Sequence, residues 1–141
     1  MKGKSTDELK MELLQGNNID SYIKRNDLFF TETGPTALLE EYYNRRKGSK
    51  ADLARKAGMS EVYLHQVFSG RRKPSRDKLL CLCLALEVTA DEAQKLLEQA
   101  TYARLRPRIK RDAIILHGIL HHTPLKQINE KLFLENEKTL C

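Results

Sequence analysis

The sequence has no apolar run close to the roughly 18 residues a membrane helix needs. Its start, Met1-Lys-Gly-Lys-Ser-Thr-Asp-Glu8, lacks the apolar centre of a secretory leader, so a cytoplasmic location is expected. Cysteine is scarce. Cys81, Cys83 and Cys141 are an odd number without framework spacing, which argues against a disulfide scaffold and suits reduced thiols. No segment alternates apolar and polar residues for long enough to make a strand. A glycine-rich phosphate loop is missing, no Ser/His/Asp or Cys/His arrangement has a recognisable framework, and the carboxylates form no enzyme pattern; catalysis is not expected. His117 and His121 are four apart, with His122 adjacent, but no third ligand stands at metal spacing. Cys81-x-Cys83 sends its thiols to different helix faces. No metal and no cofactor is expected. Internal repeats and low-complexity stretches are also absent.

What is present is a chain of 141 residues, 40% hydrophobic and 31% charged. That balance suits a globular protein able to bury a core without staples. The net charge of +6 is unevenly placed. Between Arg45 and Lys78 stand eleven Lys and Arg against Asp52, Glu61 and Asp77, so the rest of the chain is slightly negative. A second basic group is Arg104, Arg106, Arg108, Lys110 and Arg111. A localised basic face suits a polyanion partner, and the bland alternative is a solvated surface. For the second group the alternatives are a further nucleic-acid contact or a hinge between helices, with Asp112 paired to a nearby base.

Helical spacing and caps run the length of the chain. Ser5-Thr-Asp-Glu8 has capping-box spacing and opens a helix carrying Leu9, Leu13 and Leu14, ended by Gly16-Asn-Asn. A short helix near Asp20–Arg25 would turn Tyr22 and Ile23 inward, and Thr33-Gly-Pro35 reads as a loop. The next helix, about Thr36–Arg46, has Leu38, Leu39, Tyr42 and Tyr43 on its apolar side. Ser49-Lys-Ala-Asp52 opens a helix to Ala57, Ser60 caps one to about Phe68, and Ser75 caps one with Leu79, Leu80, Leu82, Cys83 and Leu86. Thr89-Ala-Asp-Glu92 is another capping box, before Ala93, Leu96, Leu97 and Ala100. Pro107 is placed to open a helix holding Ile109, Ile114, Ile115, Ile119 and Leu120. Thr123-Pro124 starts a last one, with Leu125, Ile128, Leu132 and Phe133.

The informative stretch is Lys50-Ala-Asp-Leu-Ala-Arg-Lys-Ala-Gly-Met-Ser-Glu-Val-Tyr-Leu-His-Gln-Val-Phe-Ser69. Ala54 stands where a second short helix would cross the first, and a larger side chain there would push them apart. Gly58 falls in the turn, where a positive φ suits glycine. Leu64 and Val67 point back into the core from one face, and Leu53 and Ala57 complete the buried side. This is the pattern of a DNA-binding helix-turn-helix.

From about Thr36 to Leu97 the chain resembles the lambda-repressor-like, XRE-type helix-turn-helix family. Ser69-Gly-Arg-Arg-Lys-Pro-Ser75, Lys78-Leu-Leu and Ala85-Leu86 resemble the family's segment after the recognition helix. The whole chain also resembles a group of small bacterial regulators with helical extensions at both ends. Thr6-Asp-Glu-Leu9, Tyr63-Leu-His-Gln-Val-Phe-Ser-Gly70, Pro74-Ser-Arg-Asp-Lys-Leu79, Arg111-Asp-Ala-Ile-Ile115 and Asn129 carry that likeness. The implied fold is an all-α, lambda-repressor-like bundle with additional N- and C-terminal helices. The expected divisions are an N-terminal extension at 1–34, a DNA-binding domain at 35–100 and a C-terminal extension at 101–141, the last a candidate for dimerisation.

The resemblance implies that the helix from Ser60 lies in the major groove and that Ser60, Glu61, Val62, Tyr63 and Gln66 match the family's base-reading positions. Gln66 suits adenine, Glu61 the amino group of cytosine, Val62 a thymine methyl, and Tyr63 a base or phosphate. Glu61 replaces the Gln often found there. His65 is expected to face sideways. Phosphate contacts are expected from Ser49 and Lys50 at a helix start, from Arg71, Arg72 and Lys73 behind the reading helix, and from Ser75 and Arg76. The expected role is a sequence-specific transcriptional regulator on double-stranded DNA, as a homodimer on a two-fold site. The competing role is a protein-interaction module, with the motif as scaffold and the helical ends binding a partner such as a toxin, kinase or antirepressor. RNA is the weaker fit because the aromatic residues form no stacking platform.

Overall fold

The computed structural model describes residues 4–16, 18–26 and 34–141, which leaves Asn17 and Thr33 of the expected loops outside the described residues. Among the described residues there are nine helices and no strand. The chain divides into two compact units, residues 1–32 and residues 33–141.

The first unit holds α1 (Thr6–Gln15) and α2 (Ile19–Arg25). Ser5 caps α1 by accepting from the Glu8 amide at 3.1 Å. Its leucines are not enclosed: no residue of α1 is buried, and Leu13 and Leu14 face solvent. Within the unit the described partner helix is only seven residues long and offers too little surface to cover a stripe. A polar cluster joins the two helices instead. Glu12 accepts from Lys4 at 2.5 Å and from the Asn26 side chain at 2.7 Å, and Lys4 also donates to Asn26 at 2.8 Å. In α2 Tyr22 is buried, but Ile23 is exposed, contrary to the expectation for it.

The second unit runs through α3 (Thr36–Asn44), α4 (Lys50–Lys56), α5 (Glu61–Phe68), α6 (Arg76–Leu86), α7 (Ala90–Gln99), α8 (Lys110–Leu120) and α9 (Leu125–Leu134). Helix α6 is the axis. Every residue from Leu79 to Leu86 is buried, and a helix apolar on all sides is one surrounded on all sides. It meets α4, α7, α8 and α9. Its two cysteines are sealed in, and burial pushes both thiols up to about 12. Leu105, Ile115, Ile128 and Leu132 join the same apolar core as Leu39, Leu64 and Leu96, so α8 and α9 share one interior with α3–α7.

Two details of the last helices depart from the pattern. Helix α8 begins at Lys110 and not at Pro107. Asp112 accepts from the Arg106 amide at 3.0 Å and the Arg106 carbonyl accepts from the Ile109 amide, so the chain makes a turn at Pro107 before the helix can start. Phe133 faces solvent with 74% of its surface exposed, because Leu125, Ile128 and Leu132 already occupy the inward face of α9.

The Thr89–Glu92 capping box forms in full, and Glu92 also reaches Arg45 at 2.6 Å. The hydrogen bond from Arg45 is the main reason the Glu92 carboxyl is held below the usual carboxylate range, with the Thr89 amide adding to it. A carboxyl whose folded pKa is depressed contributes stability above its unfolded pKa and loses it as pH falls through the folded value. Replacing Glu92 by Gln is therefore expected to lower stability at neutral pH and to flatten the loss below the usual glutamate range. Urea midpoints measured across that acid limb check it, and parallel curves for the two proteins would contradict it.

Candidate nucleic-acid interface

Helices α4 and α5 form the hairpin. Ser49 caps α4 by accepting from the Asp52 amide at 3.1 Å, and Ser60 caps α5 by accepting from the Tyr63 amide at 3.1 Å. Between them Gly58 has φ +67, and a Cβ there would come within 3.3 Å of Leu125 and 3.4 Å of the Cys141 sulfur. Both the backbone conformation and the close roof of side chains therefore require glycine. Leu53, Ala54, Leu64 and Val67 are all buried, which seats the inner face of α5 against α4 and α3.

The outward face of α5 is what remains. Val62 is 69% exposed on this open side. Gln66 is partly buried along its stem, and its side-chain amide has no hydrogen-bond partner among the described residues. Together with Glu40, Lys50, His65, Phe68, Ser69 and Arg71 they line an open groove of about 630 Å³. Lys50 stands at its edge, 4.9 Å above the Phe68 ring and 5.3 Å from that of Tyr43, with Glu40 at 3.6 Å. The aromatic rings hold the ammonium in place by cation–π attraction while leaving it partly open to solvent.

The structure brings Lys50, Val62, Gln66 and Arg71 into one groove and separates others expected beside them. Glu61 and Ser60 are exposed at the start of α5, and Glu61 lies 3.4 Å from His65 one turn on. His65, beside Glu61, also lines the groove with Val62 and Gln66. Its spacing, three residues after Val62 and four after Glu61, held that information, as did Ser69 three after Gln66. Tyr63 packs against the core and lies beneath Arg72 at 5.6 Å and Lys78 at 5.7 Å, so its ring seats cations and does not point outward.

Behind α5, Arg71, Arg72 and Lys73 are exposed. Ser75 caps α6 by accepting from the Lys78 amide, which leaves its own hydroxyl proton to donate outward. Arg76, expected on the rim, is turned inward. Its guanidinium donates to both oxygens of Asp112 at 3.2 Å and to the carbonyls of Ala103 and Arg104 at 3.0 and 3.1 Å. A planar donor fork matches a carboxylate, and these four bonds commit four of its five N–H donors within the fold. Among the described residues no group of three or more His, Cys, Asp or Glu is arranged to hold a metal ion, and no helix is long and apolar enough to cross a membrane.

A family model described as a helix-turn-helix domain matches residues 36–96, from the start of α3 to late in α7. The chain carries at those residues a helix-turn-helix domain of the XRE, lambda-repressor-like type, with helices on either side of it along the chain. Such a domain suggests DNA binding. No curated protein and no solved structure matches the chain.

Proposed function

We propose that the protein is a sequence-specific regulator of transcription that inserts α5 into the major groove of double-stranded DNA. The observation that carries this reading is the row Glu61, Val62, Gln66 on the open side of α5, flanked by Lys50 and Arg71 in the same groove. A helix fits the major groove, where each base pair presents its own donors and acceptors. Gln66 can donate to and accept from adenine, Val62 can cover a thymine methyl, and Glu61 can accept from cytosine while disfavouring phosphate approach. Ser60 sits at the groove-facing start of the helix. Lys50, Ser49, Arg71, Arg72, Lys73 and Ser75 supply phosphate contacts that set affinity and register. Tyr63 contributes by seating Arg72, and Arg76 by holding the fold behind the rim.

One reading helix covers only a few base pairs, so a two-fold pair on a palindromic site is the natural assembly. Sedimentation of the protein on a self-complementary duplex should give two protein chains per duplex.

Replacing Gln66 by Ala is expected to relax preference at one base position by about 1–3 kcal/mol and to leave the salt dependence unchanged. Replacing Arg71 and Arg72 by Gln should weaken binding to every duplex and lower the slope of log affinity against log salt by about 0.9 for each phosphate no longer neutralised. Anisotropy titrations over a salt series, on sites selected from random DNA, separate the two. Identical behaviour of the two variants would overturn this division of labour, and the absence of any binding by the wild type would overturn the reading itself.

A further inference from the structure

The segment between α7 and α8, residues 100–109, carries a feature that the helix-turn-helix does not use. Thr101 adopts a left-handed backbone, φ 63, which turns the chain off the end of α7 into an irregular stretch. There the Gln94 side chain grips Leu105 from both sides: its oxygen accepts from the Leu105 amide at 2.8 Å and its nitrogen donates to the Leu105 carbonyl at 2.9 Å. Leu105 is buried in the core, while its neighbours Arg104 and Arg106 are both exposed, as side chains alternate along extended backbone. Arg108 follows, also exposed.

The segment is fastened to the loop behind α5. Tyr102 donates its hydroxyl to the Pro74 carbonyl, and Lys73 lies 4.8 Å above the Tyr102 ring and 3.4 Å from the Thr101 hydroxyl. Arg76, pinned by Asp112, donates to the carbonyls of Ala103 and Arg104. These links fix the start of the segment, up to the Arg104 backbone, beside Lys73 and the loop behind α5. Of the five cations between 104 and 111, Lys110 pairs with Glu135 and Arg111 with Asp77. Among the described residues Arg104, Arg106 and Arg108 have no ion pair and no side-chain hydrogen bond. Three exposed guanidinium groups within five residues concentrate positive charge at the surface.

We propose that Arg104, Arg106 and Arg108 form a second phosphate-contacting arm that extends the footprint on double-stranded DNA beyond the helix-turn-helix. The partner is the duplex backbone, since the one aromatic ring of the segment, Tyr102, is half-buried and engaged, which leaves no platform for stacking unpaired bases. The arm rests on the DNA-binding reading above and adds affinity without sequence choice.

The test compares the full-length wild type with the variant Arg104→Gln/Arg106→Gln/Arg108→Gln on duplexes of about 12 and about 30 base pairs, one helical turn and roughly three. A control with the same loss of charge, Lys95→Gln/Lys126→Gln/Lys131→Gln, accounts for net charge. On the longer duplex the arginine variant is expected to lower the salt slope by about two to three for each bound chain, at about 0.9 per phosphate, and to bind tenfold or more weakly at moderate salt. On the short duplex it should bind nearly as the wild type does, and its thermal midpoint should be unchanged because all three side chains are exposed. A wild-type slope in the arginine variant, or an equal fall in the lysine control, overturns the arm and leaves the α5 reading standing. Failure of the wild type to bind either duplex overturns both.

Discussion

Replacing Arg76 by Ala is expected to lower the unfolding free energy by about 3–5 kcal/mol, the usual consequence of stranding one member of a buried ion pair. Asp112 is the stranded partner. Its side chain is only 7% exposed, and besides Arg76 it holds the Arg106 amide at the turn before α8. Removing the guanidinium takes away both of its charge-assisted bonds and also releases the Ala103 and Arg104 carbonyls. Arg76→Lys keeps a charge but loses the bidentate fork, so it should recover only part of the loss. Asp112→Asn keeps an acceptor for the Arg106 amide and should cost less than Arg76→Ala. The double change Arg76→Leu/Asp112→Leu removes both charges and should also be milder than the single. Urea unfolding of the four variants ranks them, and a near-wild-type midpoint for Arg76→Ala would refute the assignment. The ranking has a functional side. If Arg76 belongs to the fold and not to the rim, Arg76→Leu/Asp112→Leu, which removes the cation, should bind duplex with the wild-type salt slope.

That same residue shows where a reading of the sequence stops. Arg76 stands at the start of a helix behind a run of cations, and in one dimension it is indistinguishable from Arg71 and Arg72. What removes it from the rim is Asp112, 36 positions away, and long-range pairing leaves no local trace. The hairpin itself was legible, because its constraints are local: Ser caps at Ser49 and Ser60, a glycine with positive φ at Gly58, and buried positions recurring at helical spacing. The central helix α6 could be placed by its cap, but its enclosure on every side follows only from how α4, α7, α8 and α9 surround it. The leucines of α1 show the converse. Leu9, Leu13 and Leu14 make an apolar spacing, yet spacing shows which residues could face a partner and not whether one is there. At the candidate site the outward residues of α5 followed from periodicity. Tyr63 did not, since an aromatic at a helix start can equally point out or lean on the core, and here the core and the cations above it decide.

Replacing Gly118 by Val is expected to destabilise the protein by about 3 kcal/mol, against the local preference of the helix. In an exposed helix interior, glycine is the residue whose removal helps, with Ala favoured by about 1 kcal/mol. Gly118 lies buried inside α8, where α9 crosses close to it. A Cβ there would come within 2.1 Å of the Ile128 Cδ1 and 2.9 Å of its Cγ1, with Leu84 of α6 at 3.8 Å. The Ile128 terminus must swing away from a single methyl, and the open groove of about 570 Å³ that Gly118 and Ile128 both line gives it somewhere to go. Gly118→Ala should therefore be neutral to mildly destabilising, the helix gain offset by displacement of Ile128. Valine adds two further methyls beside a Cβ already 2.9 Å from Ile128 Cγ1, an atom next to the branch that cannot swing clear, so α9 must shift to receive them. Shortening the opposing side chain tests the cause. In the double variant Gly118→Ala/Ile128→Val the two changes should be less damaging together than the sum of the singles, by about 0.5–3 kcal/mol in a double-mutant cycle. Additive costs would mean that α8 and α9 do not meet at this point, and the shared interior of the second unit would then have to be closed somewhere else along the two helices.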